Sequence, residues 1–230
     1  MSLKIIVFSG AGMSAESGIN TFRDSNGLWE NYDIHEVATP QAWEKNPDLV
    51  TKFYNERRKH IVSAQPNPAH KAIAELGRLF DVSVITQNID DLHERSGSKQ
   101  VMHLHGNIRL SKSSGPNAEK KYYPIDGTAL SEKDFCPEGY RLRPHVVWFG
   151  EAVPMMDEAI NLVRQASHFI VIGSSLEVYP AANLISFCPS HAKKWIIDPK
   201  ANQIGVHSDF KCIQQTAVDG IQQVIKEIKL

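Results

Sequence analysis

Cysteine is scarce in this 230-residue chain: Cys136, Cys188 and Cys212 lie far apart, and no C-x-x-C pair occurs. That spacing argues against a disulfide framework and against a cysteine zinc site, and three reduced thiols fit the cytoplasm. A surplus of one charge is also missing. Lys and Arg number 25 against 26 Asp and Glu, a net charge of -1, so neither nucleic acid nor an anionic membrane is expected as a partner through bulk attraction. No apolar run approaches the roughly 18 residues that span a membrane. Met1-Ser2-Leu3-Lys4 runs straight into an apolar segment without the layout of a signal peptide. Internal repeats and low-complexity tails are lacking too. These absences leave a cytoplasmic chain, expected as a monomer, long enough to bury a sizeable core without disulfide or metal.

What is present alternates. Residues 3–9 (LKIIVFS) are almost continuously apolar and rich in β-branched side chains, the pattern of a strand buried on both faces. The texture recurs at 82–86, 169–173 and 195–197, and helical spacing of apolar residues fills 68–80, 154–166 and 220–230. Strands alternating with helices predict an α/β protein, a doubly wound parallel sheet of Rossmann type with a smaller inserted domain. Two stretches break the rhythm: about 24–66, mostly helical and amphipathic, and about 107–143, polar, with a hairpin and loops expected. The larger part is therefore expected from about 1–24, 67–106 and 144–230, and the smaller part from about 25–66 and 107–143.

The first strand ends at Gly10-Ala11-Gly12-Met13-Ser14-Ala15, a G-x-G-x-x-A turn opening a helix. Strand, glycine turn and helix are what a dinucleotide pyrophosphate needs, through positive φ, close backbone approach and free N–H groups. A tight turn without ligand has the same sequence. The acidic residue that would follow about twenty positions on in a dehydrogenase is absent, because that stretch reads Thr21-Phe22-Arg23-Asp24. Any nucleotide here is expected to be held differently.

Further motifs follow in order. They are Ser14-Ala15-Glu16-Ser17-Gly18-Ile19 with Thr21-Phe22-Arg23-Asp24 and Gly27-Leu28-Trp29, then Thr86-Gln87-Asn88-Ile89-Asp90-Asp91-Leu92-His93, and His103-Leu104-His105-Gly106. His145-Val146-Val147-Trp148-Phe149-Gly150-Glu151 and Gly173-Ser174-Ser175-Leu176-Glu177-Val178-Tyr179-Pro180-Ala181 complete the set. Read alone, each has a bland alternative. Asp90 can cap a helix beginning at Asp91. His103 and His105 can be one core and one surface histidine, or a His-x-His metal pair. Residues 145–151 can be an ordinary buried strand.

Taken together, the order and spacing closely resemble the sirtuin family. The resemblance implies an enzyme that consumes NAD and removes acyl groups from lysines of partner proteins, yielding nicotinamide, 2′-O-acyl-ADP-ribose and free lysine. It makes His105 the catalytic base, with Asn88 beside it, and leaves His103 structural. It assigns the cofactor to Gly10, Ala11, Gly12, Ser14, Glu16, Gly18, Ile19, Phe22, Arg23 and Trp29, to Gln87, Asn88, Ile89, Asp90 and His105, and to Gly173, Ser174 and Ser175. Phe22 is expected to shield the reacting carbon from water. An extended acyl-lysine peptide is expected to add as a strand between the Val147, Phe149, Gly150 and Glu151 segment and Ser175–Val178.

Tyr54 and Arg57, three apart and so on one helix face, resemble the pair by which one sirtuin subgroup takes acidic acyl chains. A hydroxyl and a guanidinium can clamp a succinyl or malonyl carboxylate. Solvated charge on a surface helix is the alternative, and Arg58 and Lys59 fit it. The chain departs from the family in two places. Between His105 and His145 it carries only Cys136 where most sirtuins have four zinc cysteines, so no structural zinc is expected, and packing of Tyr122, Tyr123, Phe135 and Tyr140 is expected to hold the module. Asp198 stands where the family usually has an asparagine, and it can accept ribose hydroxyls; Thr216 or Ala217 is expected near the adenine. A glycohydrolase or ADP-ribosyl transferase on the same scaffold, or a non-catalytic sensor of NAD or ADP-ribose, are the rival readings.

Overall fold

The structure is a computed structural model that describes residues 3–20, 28–29, 32–116 and 118–229; of residues 28, 29 and 120 only the backbone is described. In chain order the first elements are β1 (Lys4–Ser9), α1 (Gly12–Ala15), β2 (Leu28–Trp29), β3 (Tyr32–Asp33), α2 (Ile34–Val37), α3 (Pro40–Lys45), α4 (Pro47–Ser63) and α5 (Pro68–Leu76). Then come β4 (Asp81–Thr86), α6 (Leu92–Arg95), β5 (Val101–His103), β6 (Gly106–Ser113), β7 (Tyr122–Pro124) and β8 (Leu142–Val146). The chain closes with α7 (Met156–Val163), β9 (His168–Ile172), β10 (Lys193–Ile197), β11 (Phe210–Ile213) and α8 (Ala217–Lys229).

Six strands form one parallel sheet in the order β11-β10-β9-β1-β4-β5. The chain builds outward from β1 through β4 to β5, then crosses back to lay β9 on the other side of β1. The direction of winding therefore reverses between β1 and β9, and such switch points open a crevice at the carboxyl ends of the strands. The doubly wound sheet expected from the sequence is present.

Period-two side-chain alternation sorts the continuous apolar strands onto both faces. Ile5, Val7, Val84, Ile170, Ile172, Trp195 and Ile197 pack against α5 and α8 through Ile73, Leu76, Ile221 and Val224. Ile6, Phe8, Ile85, Phe169, Val171 and Ile196 face the other way, against Ala159 and Val163 of α7 and Leu184. Helix starts are written locally. Asn67 caps α5 by accepting from Ala69 and His70 N–H groups, with Pro68 next in line, and its amide nitrogen donates to the Met13 carbonyl at 2.8 Å. One cap thus ties α5 to the first turn. Asn46 and Pro47 start α4 the same way.

The two interrupting stretches build a second cluster of elements. α2, α3 and α4 bury Val37, Ala42, Val50, Phe53, Tyr54 and Ile61 against Ile108, Val146 and Trp148. β6 lies between β7 and β8 in a three-stranded antiparallel sheet. The aromatic packing expected there is corrected. Tyr122, Phe135 and Tyr140 are partly exposed and lie outside the buried cluster, which is Ile125, Leu130, Cys136 and Leu142, with Tyr123 against it. Aliphatic side chains fill a core this small without needing a partner for a phenol. Tyr122 instead stacks on His145, ring centroids 3.9 Å apart, and donates its hydroxyl to Glu119. Cys136 is buried beside Ser113, and among the described residues no group of three or more His, Cys, Asp or Glu is placed to hold a metal. No helix among the described residues is long and apolar enough to cross a membrane.

Candidate active site

A cavity of about 560 Å³ opens at the switch point, over the carboxyl ends of β1, β4, β9 and β10. Its size is that of a small-molecule or cofactor site. Glycine at 10 and 12 is required not by positive φ, the reason expected, but by close backbone packing on Gly173. Neither has positive φ. A Cβ on Gly10 would meet the Gly173 carbonyl oxygen at 2.7 Å, and one on Gly12 would meet the Gly173 Cα at 2.8 Å. Gly12 N–H donates to that same carbonyl at 2.9 Å. Gly173 itself has φ of +61°, and a Cβ there would meet the Met13 nitrogen at 2.2 Å. The turns after β1 and β9 therefore touch backbone to backbone, and that contact floors the cavity. The helix that follows, α1, is a single four-residue turn, too short for the dipole argument to carry much weight.

From β4, Thr86 to Asp90 crosses the cavity wall. The Asn88 amide nitrogen donates to the Gly10 carbonyl and to Ser14 Oγ, both at 3.1 Å, and Ser14 Oγ donates to Asp90 Oδ2 at 2.9 Å. Both amide protons are thus spent on the protein, which leaves Asn88, a cavity-lining residue, its side-chain oxygen as an acceptor. Asp90 also accepts from the Leu92 N–H at 3.1 Å. The helix expected to begin at Asp91 begins at Leu92, and its cap position, Asp91, makes no side-chain cap bond; Asp90, one residue earlier, holds the first N–H of α6 and lines the cavity. Burial pushes the Asp90 carboxyl up, opposed by the bonds from Ser14 and Leu92. Gln87 reaches across to Ser174 Oγ at 2.9 Å.

His105 follows β5 and lines the cavity. Its Nδ1 lies 3.0 Å from the Gln87 carbonyl oxygen. A carbonyl only accepts, so Nδ1 carries the proton and Nε2 carries the lone pair. The His105 carbonyl accepts from Val147 N–H at 2.9 Å. Burial lowers the imidazole below its ordinary range, partly offset by the Gln87 bond, so the ring is neutral at pH 7. Gly106, with φ of +85°, lets β8 cross directly behind it, because a Cβ there would meet the His145 carbonyl oxygen at 2.2 Å. His103 is turned away. Its Nδ1 donates to the Asn88 carbonyl at 2.9 Å, and its Nε2 pairs with Glu94 at 2.7 Å. Those bonds leave no ring nitrogen for a His-x-His metal pair.

Tyr54 and Arg57 of α4 are buried and line the same cavity. The solvated-helix alternative fails here for a second reason. Arg58 is fully buried, donating from Nε to the Ile108 carbonyl and from Nη1 to Asn55 Oδ1, both at 2.6 Å. Burial, with Arg109 nearby, lowers Arg58 to about 10. Lys59 does stay exposed. Trp148 Nε1 donates to the Tyr54 hydroxyl at 3.1 Å, and burial raises the Tyr54 hydroxyl well above its ordinary value.

The wall is completed by Ala11, Glu16, Ile19, Ile89, Ser175, Asp198 and Ala217, and by Val147, Phe149, Gly150, Glu151 and Val178. Glu16 accepts from the Val218 N–H at 2.9 Å, and Asp198 accepts from the Lys200 N–H at 2.8 Å. Both Glu151 oxygens are held by Arg143 at 2.8 Å. Of the expected residues that are described, Gly18 alone lies off the wall. Phe22, Arg23 and the Trp29 side chain lie outside the described residues. The sequence reading gave no site role to Trp148, Asn20 or Lys200, which also line the cavity. Trp148 carried a signal: a buried indole N–H needs an acceptor.

The Sir2 family model matches residues 10–180. An NAD-dependent protein deacylase of Helicobacter pylori is 47% identical over 225 residues, 97% of this chain and 96% of the relative. A mutant Sir2 homologue solved with ADP-ribose superposes with a TM-score of 0.86 at 37% identity, covering 98% of this chain and 91% of the other. A Sir2 homologue solved with NAD gives 0.85 at 36% identity, covering 98% and 89%.

Proposed function

The chain belongs to the Sir2 family, and from that premise we propose that it is an NAD-dependent protein-lysine deacylase that removes succinyl and malonyl as well as acetyl groups. One observation carries the reading. A single cavity joins a neutral histidine, the Asn88–Ser14–Asp90 chain and the buried Tyr54 and Arg57. The donor set fits the cofactor. The turns at Gly10–Ser14 and Gly173–Ser175, with Gln87, Asn88, Asp90 and Asp198, line the cavity with close-packed backbone, hydroxyls, amides and carboxylates suited to a dinucleotide. Bound NAD supplies a sugar carbon whose nicotinamide is already a good leaving group.

The protein's own residues do the rest. Asn88 and Asp90 position the sugar and amide groups, and alignment of this kind can lower a barrier by about 7–11 kcal/mol. His105 Nε2 takes a proton from a sugar hydroxyl as general base. Its Nδ1–H, anchored on Gln87, stabilises the imidazolium that results. The loop segments Val147 to Gly150 and Ser175 to Val178, which follow β8 and β9, flank the acylated peptide, and Arg57 with Tyr54 takes the carboxylate of an acidic acyl chain.

The test is a mass-spectrometric assay of NAD with matched acetyl-, malonyl- and succinyl-lysine peptides. Free lysine and acyl-ADP-ribose should appear, with acidic acyl groups processed at least as well as acetyl. Nicotinamide release that is the same without peptide would favour the glycohydrolase. NAD binding without turnover of any acyl peptide would favour the sensor.

A further inference from the structure

We infer that Arg143 is a positioning residue for the acylated peptide: its guanidinium, forked onto Glu151, fixes the loop of residues 147–150 before the peptide arrives. The inference rests on the deacylase reading, which sets the peptide against that loop.

The loop leaves β8 without joining a strand or a helix, and Gly150 turns it back with φ of +90°. Each residue that a ligand has to order weakens its binding by roughly five- to thirtyfold. A loop ordered in advance escapes that loss. Three backbone bonds begin the ordering. Val147 N–H donates to the His105 carbonyl at 2.9 Å, Phe149 N–H to the Ala38 carbonyl at 3.0 Å, and Glu151 N–H to the Trp148 carbonyl at 3.0 Å.

Arg143, on β8, gathers the rest. Nη1 donates to Glu151 Oε1 and Nη2 to Glu151 Oε2, both at 2.8 Å, and Nη2 also donates to the Val146 carbonyl at 3.0 Å. The same Oε2 accepts from the Trp148 N–H at 2.8 Å. The guanidinium lies over the Trp148 indole, 3.4 Å from the ring centroid. One side chain thus grips the residue before the loop, the residue after it and a ring inside it. A planar fork matches both carboxylate oxygens at once, and an ammonium does not.

The pair is shielded, with side chains 9% and 22% exposed. Burial raises the Glu151 carboxyl, but the bonds from Arg143 outweigh it and hold the group below its ordinary range. A buried ion pair is often no more stable than apolar side chains of the same volume, so fold stability alone does not account for it. Among the described residues the hydrogen bonds of Arg143 go to Glu151 and Val146, and none goes to a residue assigned to NAD. His105 keeps its own anchor on the Gln87 carbonyl. Losing the fork therefore loosens the peptide side of the cavity and spares the cofactor side.

The experiment measures kcat and the KM values for NAD and for acetyl- and succinyl-lysine peptides in the wild type, Arg143→Lys and Arg143→Met/Glu151→Met. Anisotropy of a labelled succinyl-lysine peptide gives its Kd without NAD. Arg143→Lys keeps the charge and loses the fork. It should raise peptide KM and Kd about five- to thirtyfold, equally for both acyl groups, with the KM for NAD within about twofold of the wild type. The double variant leaves no buried charge unpaired, so it keeps the protein folded if the lysine does not; its peptide KM should rise by the same factor. A wild-type peptide KM in either folded variant overturns the inference while the deacylase reading stands. So does a KM for NAD that rises in step, the mark of a merely structural part, or a rise confined to the succinyl peptide. A wild type that neither binds nor deacylates the peptides overturns the deacylase reading, and the inference with it.

Discussion

Acid should destabilise this protein through a pair of histidines that catalysis does not use. His70 on α5 and His93 on α6 are 0% and 1% exposed, with ring centroids 4.9 Å apart. Among the described residues neither ring nitrogen of His70, nor Nδ1 of His93, has a hydrogen-bond partner; His93 Nε2 meets Ser9 Oγ at 3.0 Å. A proton added to either ring places an N–H in an interior with nothing to accept it, beside a second ring that would also charge. Burial accordingly lowers His70 from 6.5 to about 4, and burial first, then His70 and His103, lowers His93 well below its ordinary value. A folded value below the unfolded one means that the unfolded chain binds more protons. Stability is therefore full above about pH 6.5 and falls as pH drops towards 4. For His70 alone the loss between about pH 7.5 and pH 5 is about 2 kcal/mol. The assay is urea unfolding at both pH values for the wild type and for His70→Leu, which fills the site without a titratable group. The wild type should lose about 2 kcal/mol more than the variant on acidification. His103, raised by its Glu94 partner, acts in the opposite direction but in both proteins alike. Equal pH dependence in the two proteins would refute the reasoning.

Other outcomes are expected. His105→Ala should abolish deacylation while leaving a folded protein, and in the wild type the acid limb of activity should lie below the ordinary histidine range, since burial lowers His105; a fully active His105→Ala enzyme would remove the base. Arg57→Met should cost about ten- to a hundredfold on succinyl-lysine, the worth of a charge-assisted hydrogen bond, and much less on acetyl-lysine. Gly173→Ala should lower stability by about 2 kcal/mol or more, from the clash with the Met13 nitrogen and the φ of +61°, read as a shift in the thermal midpoint. A chelator should leave that midpoint unchanged, and metal analysis of purified protein should show no stoichiometric zinc, because the small module is closed by Ile125, Leu130, Cys136 and Leu142.

Much of the site was legible in the sequence, because its parts are short loops at strand ends. A strand buried on both faces is a run of apolar residues whatever else the chain does, and period-two alternation then sends Ile5 and Val7 one way and Ile6 and Phe8 the other. Asn67-Pro68 and Asn46-Pro47 start helices through contacts two or three residues away. Such features depend on near neighbours, so the sequence determines them by itself. Only the tertiary structure decided which surfaces cover one another. It buried Arg58 under a β6 carbonyl, kept Tyr122, Phe135 and Tyr140 out of the small buried cluster, and turned His103 towards Glu94 while His105 faced the cavity. It made Gly10 and Gly12 necessary through Gly173, and it brought an indole to the Tyr54 hydroxyl. The physical reason is the same in each case: burial and hydrogen-bond partnership are properties of pairs, and these pairs join residues that the chain itself keeps far apart.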